Sequence, residues 1–345
     1  MVSFDNNMVK SRPKISIITP TLNSGRTIEE YFKAIKSQKY KGEVEVLILD
    51  GGSTDKTLKI AKENGAKVFF NKLKTAEAGK ALGVRKATGS ICAFIDSDNL
   101  LVGNSWLEEM AKPFVEDDTI IAAEPIEYTY RKEDHWLTRY FALIGMGDPV
   151  NLFIGNYDRF SYITNKWTNL KLETENKKGY IKVNLINKIP TIGANGFLIK
   201  KEVLVNNKLG DYLFDVEVLE SLITKRQISI AKVDTGVVHL FSGDVNTFIR
   251  KQRRRIRDYL YYKNTNKRQG SGNINYIYLG ILKFIVYCFL AVPLIAQSIV
   301  GFIRKQDWVW LFHPIACYIT LVAYTYETIR SIFIKEEYTR KGWKQ

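Results

Sequence analysis

The feature that most constrains this chain is a regular exchange, from Lys14 to about Asp98, of short apolar runs with helical patterns. ISIITP (15–20), EVEVLILD (43–50), AKVFF (66–70) and ICAFID (91–96) each read as a buried strand. Between them lie TIEEYFKAIKSQ, with Asn23 or Ser24 placed to cap it, and a helix that begins near Asp55. Continuous apolar strands alternating with helices specify a parallel α/β sheet covered on both faces. Ligands of such sheets bind outside the carboxyl ends of the strands, and the polar motifs of this chain sit at those ends.

Three carboxylate clusters carry chemistry. In LILDGGSTDKT (47–57), Asp50 ends a strand, Gly51 and Gly52 permit a tight turn, and Ser53 to Asp55 open a helix. A strand-end carboxylate of this kind can accept from a base N–H, and helix starts offer free backbone N–H groups; an ordinary capped turn reads the same way. In IDSDN (95–99), Asp96 and Asp98 leave a strand at i and i+2, the spacing at which two hard oxygen ligands converge on Mg²⁺ or Mn²⁺. The third cluster is FDVEV (214–218), which carries Asp215 and Glu217; it lies between a 125–190 stretch that reads as loops and short helices and ISIAKVDTGVVHL (228–240), which reads as strand, turn and strand. A Walker-type loop fails in TAEAGKALG, because Lys74 stands where Gly is required and Ala81 follows the lysine. TPTLNSGRT likewise lacks the pattern of a nucleotidyltransferase loop.

Together these motifs resemble the family 2 glycosyltransferases over roughly residues 14–260. The resemblance implies a GT-A (Rossmann-like) nucleotide-sugar-binding domain with a mixed, mainly parallel sheet. It implies donor contacts from Pro20, Thr21 and Asn23 in TPTLN, from Asp50 and Ser53, from Lys80 and Arg85 in GKALGVRKATG, and from Asp96 and Ser97. It places a divalent ion, Mg²⁺ or Mn²⁺, on Asp98 and Asp96, and the acceptor at Gly193, Ala194, Asn195 and Gly196 of GANG. Asp215 is implied as the catalytic base, with Glu217 in support or in its place, because Phe214 stands where the family pattern is commonly acidic. His239, in VVHLF, is read either as a third metal or diphosphate contact or as a structural histidine. The implied reaction is inverting hexosyl transfer from a UDP- or GDP-sugar, in which a metal and cations stabilise the leaving diphosphate and a carboxylate deprotonates the acceptor hydroxyl.

The net charge of +15 leaves nucleic acid, anionic lipid or an acidic substrate as partners. Its location selects lipid. RKQRRRIRDYLYYKNTNKR (250–268) holds nine Lys/Arg against one Asp, and it precedes two uncharged runs, FIVYCFLAVPLIAQSIVGFI (284–303) and WVWLFHPIACYITLVAYTY (308–326). Runs of this length suit a hydrocarbon core of about 30 Å, so they predict two transmembrane helices in a hairpin, kinked at Pro293 and Pro314, after an interfacial basic helix. The expected divisions are a tail (1–13), the transferase domain (14–248), the basic segment (249–275), the hairpin (276–333) and a tail (334–345). The positive-inside rule then puts the catalytic domain and both termini in the cytosol of a multi-pass protein.

A membrane site predicts a lipid-linked acceptor, a polyprenyl-linked oligosaccharide, with direct charging of polyprenyl phosphate as the alternative. A non-catalytic membrane scaffold is the reading from a different class. No nucleic-acid partner is expected, and homo-oligomerisation is left open. Cys92, Cys288 and Cys317 have no metal-ligand spacing, and the N-terminus lacks the apolar core of a signal peptide.

Overall fold

A computed structural model describes residues 11–193, 195–207, 209–241, 243–264 and 274–334. Most of the two expected tails, all of 265–273 and Ala194 of GANG lie outside the described residues. The first half alternates β1 (Ile15–Thr21), α1 (Ile28–Lys36), β2 (Val44–Asp50), α2 (Thr57–Glu63), β3 (Lys67–Phe70), α3 (Ala76–Lys86), β4 (Ile91–Phe94), β5 (Asn99–Leu101) and α4 (Trp106–Glu116). Then come β6 (Ile120–Tyr128), α5 (Trp136–Ile144), α6 (Val150–Ile154), β7 (Glu173–Lys177), β8 (Tyr180–Leu185), β9 (Phe197–Lys200), α7 (Lys201–Asn206), α8 (Asp215–Ile223) and β10 (Ile228–His239). The chain closes with α9 (Val245–Asn264), α10 (Ile274–Leu290), α11 (Val292–Arg304), a 3₁₀ turn (Trp308–Leu311) and α12 (Phe312–Phe333).

The strands form one mixed sheet in the order β3-β2-β1-β4-β9-β6-β10-β8-β7, with β5 on β10. β1 runs parallel to β2 and β4, while β9 enters antiparallel between β4 and β6. Period-two alternation sends Ile15 and Ile17 into a core with Tyr31, Phe32 and Trp106, and sends Ile18 with Leu47 and Leu49 to the opposite face against Ala81 and Val84. The parallel register sets Thr21 beside Asp50, so the two functional strand ends finish level.

Helix α3 lies unusually close to β1. A Cβ added at Gly79 would stand 2.9 Å from Pro20 Cβ, and one at Gly83 would run into the Ile18 side chain. This approach carries Lys80 to the end of the sheet. Gly83→Val should therefore cost about 1–3 kcal/mol by overpacking, read as a lower melting temperature. Gly210→Ala, where an added Cβ meets nothing within 4 Å, is the matched control and should leave it unchanged.

Four expectations change. Helix α1 is not capped by the Asn23 or Ser24 side chain; the Ser24 carbonyl accepts from Thr27 and Ile28, while Asn23, at φ 54°, turns its side chain to the Thr54 N–H. The 228–240 stretch, expected as strand, turn and strand, is a single strand through His239 with register shifts against β6 at Ser229/Ile230 and Val233/Gly236, held by neighbours on both edges. The 125–190 stretch, expected as loops and short helices, also contains the β7–β8 hairpin.

The fourth is the membrane hairpin. The first apolar run breaks at Ala291 (φ 58°), and its two halves meet at 96°. Pro293 sits in the first turn after this break. Only Trp308–Phe333, among the described residues, is a single helix long and apolar enough to cross a membrane. Pro314 lies in the first turn of α12, where a missing N–H leaves no hydrogen bond unmade. The basic helix is also tied into the protein: Arg253 and Arg257 both donate to Glu327 of α12, and Arg255 donates to the Gly147 carbonyl.

Candidate active site

The ends of β1 and β2 are knitted into one platform. All four acceptor positions of the Asp50 carboxylate are filled: by the Thr21 hydroxyl (3.0 Å), the Ser53 hydroxyl (2.5 Å), and the N–H groups of Gly52 and Ser53 (2.8 Å each). The Asn23 N–H donates to the Ser53 hydroxyl at 2.8 Å, and Gly25 N–H donates to Asp55. Pro20, Thr21, Asn23, Asp50 and Ser53 are thus brought together as expected. A base N–H that reaches Asp50 would replace one of the two rotatable hydroxyls.

Next to this platform stands Lys80, buried on α3, whose Nζ donates to the Asp215 carboxylate at the start of α8. Burial pushes the Asp215 carboxyl up to about 6, although Lys80 pulls it down. Burial also works against the Lys80 charge, but Asp215 and Asp96 more than restore it, so the ammonium persists. The second oxygen of Asp215 is buried and has no hydrogen-bond partner among the described residues. Glu217 lies two positions further along the same helix and is half-buried.

Asp96 and Asp98 follow β4. Burial raises the Asp96 carboxyl, with Lys80 opposing and Asp98 assisting. Burial works the same way on Asp98, but His239, whose Nε2 is 3.6 Å from Asp98 Oδ2, holds it below the ordinary range. His239 arrives there because β10 pairs it with Asn99 of β5. Among the described residues no three His, Cys, Asp or Glu side chains are spaced to hold a metal by themselves. The donor set suits a hard divalent cation in part: Asp98 has the His239 imidazole beside it, and Asp96 is near enough to both to act on them electrostatically, which leaves further positions for phosphate oxygens. Ser97 points away, its hydroxyl donating to Ser24 in the interior.

The loop at 193–196 borders Asp215. Gly193 has φ 129°, and any Cβ there would collide with the Asp215 side chain. Asn195 (φ 55°) donates to the Tyr128 hydroxyl at 2.9 Å, and Gly196 N–H donates to the Phe94 carbonyl. Behind the loop lies a charge network with no solvent exposure: Glu124 accepts from Arg159 (2.6 Å) and Lys232 (2.8 Å). Glu124 also accepts from Gly193 N–H, and Arg159 donates to the Asn195 carbonyl, so the network holds the loop at both ends.

Arg85 is not in the site. It is exposed at the last turn of α3 and donates to the Gly210 carbonyl, because five residues past Lys80 the helix has turned it to another face. Sequence reasoning also missed residues that are present. Glu77 acts electrostatically on Lys80, Asp96 and Asp215, and Lys251 on α9 acts on Asp98, burial lowering its ammonium to about 8. The Glu124 network went unread, although a charge centred in each of the apolar strands IIAAEPI and ISIAKVD was its available signal.

The family model described as Glycosyl transferase family 2 matches residues 16–204, more than half of the chain. The chain belongs to glycosyl transferase family 2. Residues 16–204 are accordingly a glycosyltransferase domain, and they contain the Asp50, Lys80, Asp96 and Asp98 positions. Among curated proteins the chain is similar to glycosyltransferase AglE of Haloferax volcanii, 27% identical over 165 residues, 43% of this chain and 54% of AglE. It is also similar to glucosyl-3-phosphoglycerate synthase of Petrotoga mobilis, 34% identical over 109 residues, 31% of this chain and 34% of that protein. The chain thus spans about half or less of the length of these relatives. Among solved structures it shares its fold with mannosyltransferase PcManGT of Pyrobaculum calidifontis in complex with GDP-Man and Mn²⁺. That match has a TM-score of 0.51 and 15% identity, and covers 92% of this chain and 88% of that one.

Glu124 supplies a direct test of the network. Glu124→Gln leaves Arg159 and Lys232 under-compensated in the interior and should cost about 3–5 kcal/mol of stability in denaturant titration. Adding Lys232→Met should recover part of that loss. Strictly additive losses would mean the two groups do not act as one unit.

Proposed function

We propose that the protein transfers a sugar, with inversion, from a UDP- or GDP-sugar to a lipid-linked acceptor at a membrane surface, with Asp215 as the base. The observation that carries this reading is the position of Asp215. It is buried, raised to about 6, pressed against Gly193 of the acceptor loop and paired with Lys80 on the donor side.

The roles follow from charge. Thr21, Asn23, Asp50 and Ser53 form the nucleoside end. Lys80 stands between that end and Asp215, so an arriving diphosphate offers its ammonium a second, larger anion. Transfer of Lys80 to the diphosphate would release the carboxylate to take the acceptor hydroxyl proton, which links donor binding to base activation. Asp96 and Asp98, with His239 beside them, would hold a Mg²⁺ or Mn²⁺ ion whose chemistry is to offset charge on the leaving diphosphate. A donor and ion of that kind are proposed on the strength of this chain's own residues.

The acceptor is proposed to be polyprenyl-linked because α10–α12 expose large apolar side chains. Phe289 and Phe333 are each 81% exposed, more than a soluble surface normally carries.

Asp215→Asn keeps size and hydrogen bonding but cannot accept a proton. It should still bind the nucleotide sugar in calorimetry, more tightly than the wild type because Lys80 no longer has a competing anion, while transfer to a membrane lipid extract falls by orders of magnitude, and chelator should abolish wild-type transfer. Near-normal transfer by Asp215→Asn, with Glu217→Gln inactive, would move the base to Glu217. Full activity in chelator would remove the metal.

A further inference from the structure

We infer that α10, α11 and α12 form a monotopic platform seated in one leaflet of an anionic bilayer, and that none of them crosses it. This rests on the membrane reading above and replaces the spanning hairpin with a different topology.

The observation is that α12 is fastened to the polar part of the protein at both of its ends. Before its first turn, Asp307 accepts from the Tyr130 hydroxyl at 2.7 Å and pairs with Arg139 at 3.1 Å. Just inside the helix, His313 Nδ1 lies 2.9 Å from the Tyr140 hydroxyl. Further along, the Tyr324 hydroxyl donates to Asp148, and the fully buried Glu327 carboxylate accepts from Arg253 at 2.6 Å and from Arg257 at 2.8 Å. Residues 307 and 327 are about 30 Å apart along a helix, the full thickness of a hydrocarbon core. A spanning helix held by the catalytic domain at one end would have its other end across the bilayer. Here both ends meet side chains of the same domain, and the second end lies beside an arginine-rich helix that hydrocarbon would reject.

The other two helices are fastened in the same way. A Cβ at Gly280 of α10 would stand 2.5 Å from Ile154 Cα, and Phe284 packs edge-on to Phe153 with ring centres 5.1 Å apart. At the end of α11, Arg304 donates to the carbonyls of Tyr162 and Ile163 at 2.9 and 2.8 Å. The 96° elbow between α10 and α11 makes a straight crossing impossible for that pair.

The faces turned away from the domain are apolar. On α12 and the turn before it, Leu311, Ile315, Val322, Ile329 and Phe333 form one stripe, each more than half exposed. The elbow presents Phe289, Leu290 and Val292, at 81%, 60% and 72% exposure. Exposed Lys283 and Arg304 stand among these faces, on a chain of net charge +15. An apolar stripe flanked by cations matches the boundary between acyl chains and anionic headgroups, where an amphipathic helix lies in the plane of the membrane.

Gln306, exposed between α11 and α12, separates the two topologies, because a spanning hairpin puts residues 304–307 on the far side. The full-length protein carrying Gln306→Cys would be treated with a membrane-impermeant maleimide in sealed vesicles whose catalytic face is outward. Lys59→Cys serves as the surface control, and the wild type, whose Cys92, Cys288 and Cys317 are buried, sets the background. The platform predicts labelling of Gln306→Cys equal to the control and unchanged by detergent. Labelling that rises from background only after detergent would establish a crossing and overturn the inference. In flotation, the purified chain should rise with phosphatidylglycerol-containing vesicles and stay with them at high salt, because apolar side chains hold it; release by salt alone would overturn the seated platform. A chain that floats with no vesicles at all would instead defeat the membrane reading itself.

Discussion

The ion pair between Lys80 and Asp215 is the contact on which the rest of the site depends. Two charges taken out of water are expensive unless each finds the other in good geometry, and here both partners are almost fully buried. Both are held in place at the backbone. Lys80 is fixed by the approach of α3 to β1 through Gly79 and Gly83, and Asp215 by the contact between its side chain and Gly193. The pair therefore joins the half of the molecule built from β1, β2 and α3, where a nucleotide would lie, to the half built from α8 and the 193–196 loop. A ligand that competes for Lys80 would alter the Asp215 carboxyl on the other side, which is the coupling proposed above.

A second set of buried charges supports the 193–196 loop. Glu124, Arg159 and Lys232 come from β6, a loop and β10, and they meet beneath a loop whose residues Gly193, Asn195 and Gly196 all have positive φ. Such a backbone is costly for a free loop. Hydrogen bonds from Gly193 N–H to Glu124 and from Arg159 to the Asn195 carbonyl hold it in place. Burial drives Lys232 down to about 8 while Glu124 opposes the fall.

The parts of this architecture that the sequence made legible are those in which one residue pattern has one physical solution. β1, β2 and β4 read correctly because a strand buried on both faces is a continuous apolar run, and Asp50, Asp96 and Asp98 stand where such runs stop. The β7 strand, ETENK, was illegible because every one of its residues is exposed, leaving no alternation to detect. Glu124 and Lys232 were hidden because their pairing joins residues more than a hundred positions apart. In the last third, composition reported apolar helices but not which side of each helix the domain would cover. The positive φ at Ala291 and the partners of Glu327 decide that, and both follow from tertiary contacts.

The central claim is that Asp215 is the base and that Lys80 governs it, and the pH dependence of kcat/KM tests this most directly. In the free enzyme the carboxyl is raised to about 6 by burial with Lys80 pulling it down, so wild-type kcat/KM should fall as pH drops through about 6. Lys80→Met removes the cation that favours the carboxylate. Protonation then occurs more readily, and the acid limb should move to higher pH, together with weaker donor binding. An acid limb that stays in place in Lys80→Met would contradict the account, because the titrating base would then be a group that Lys80 does not touch.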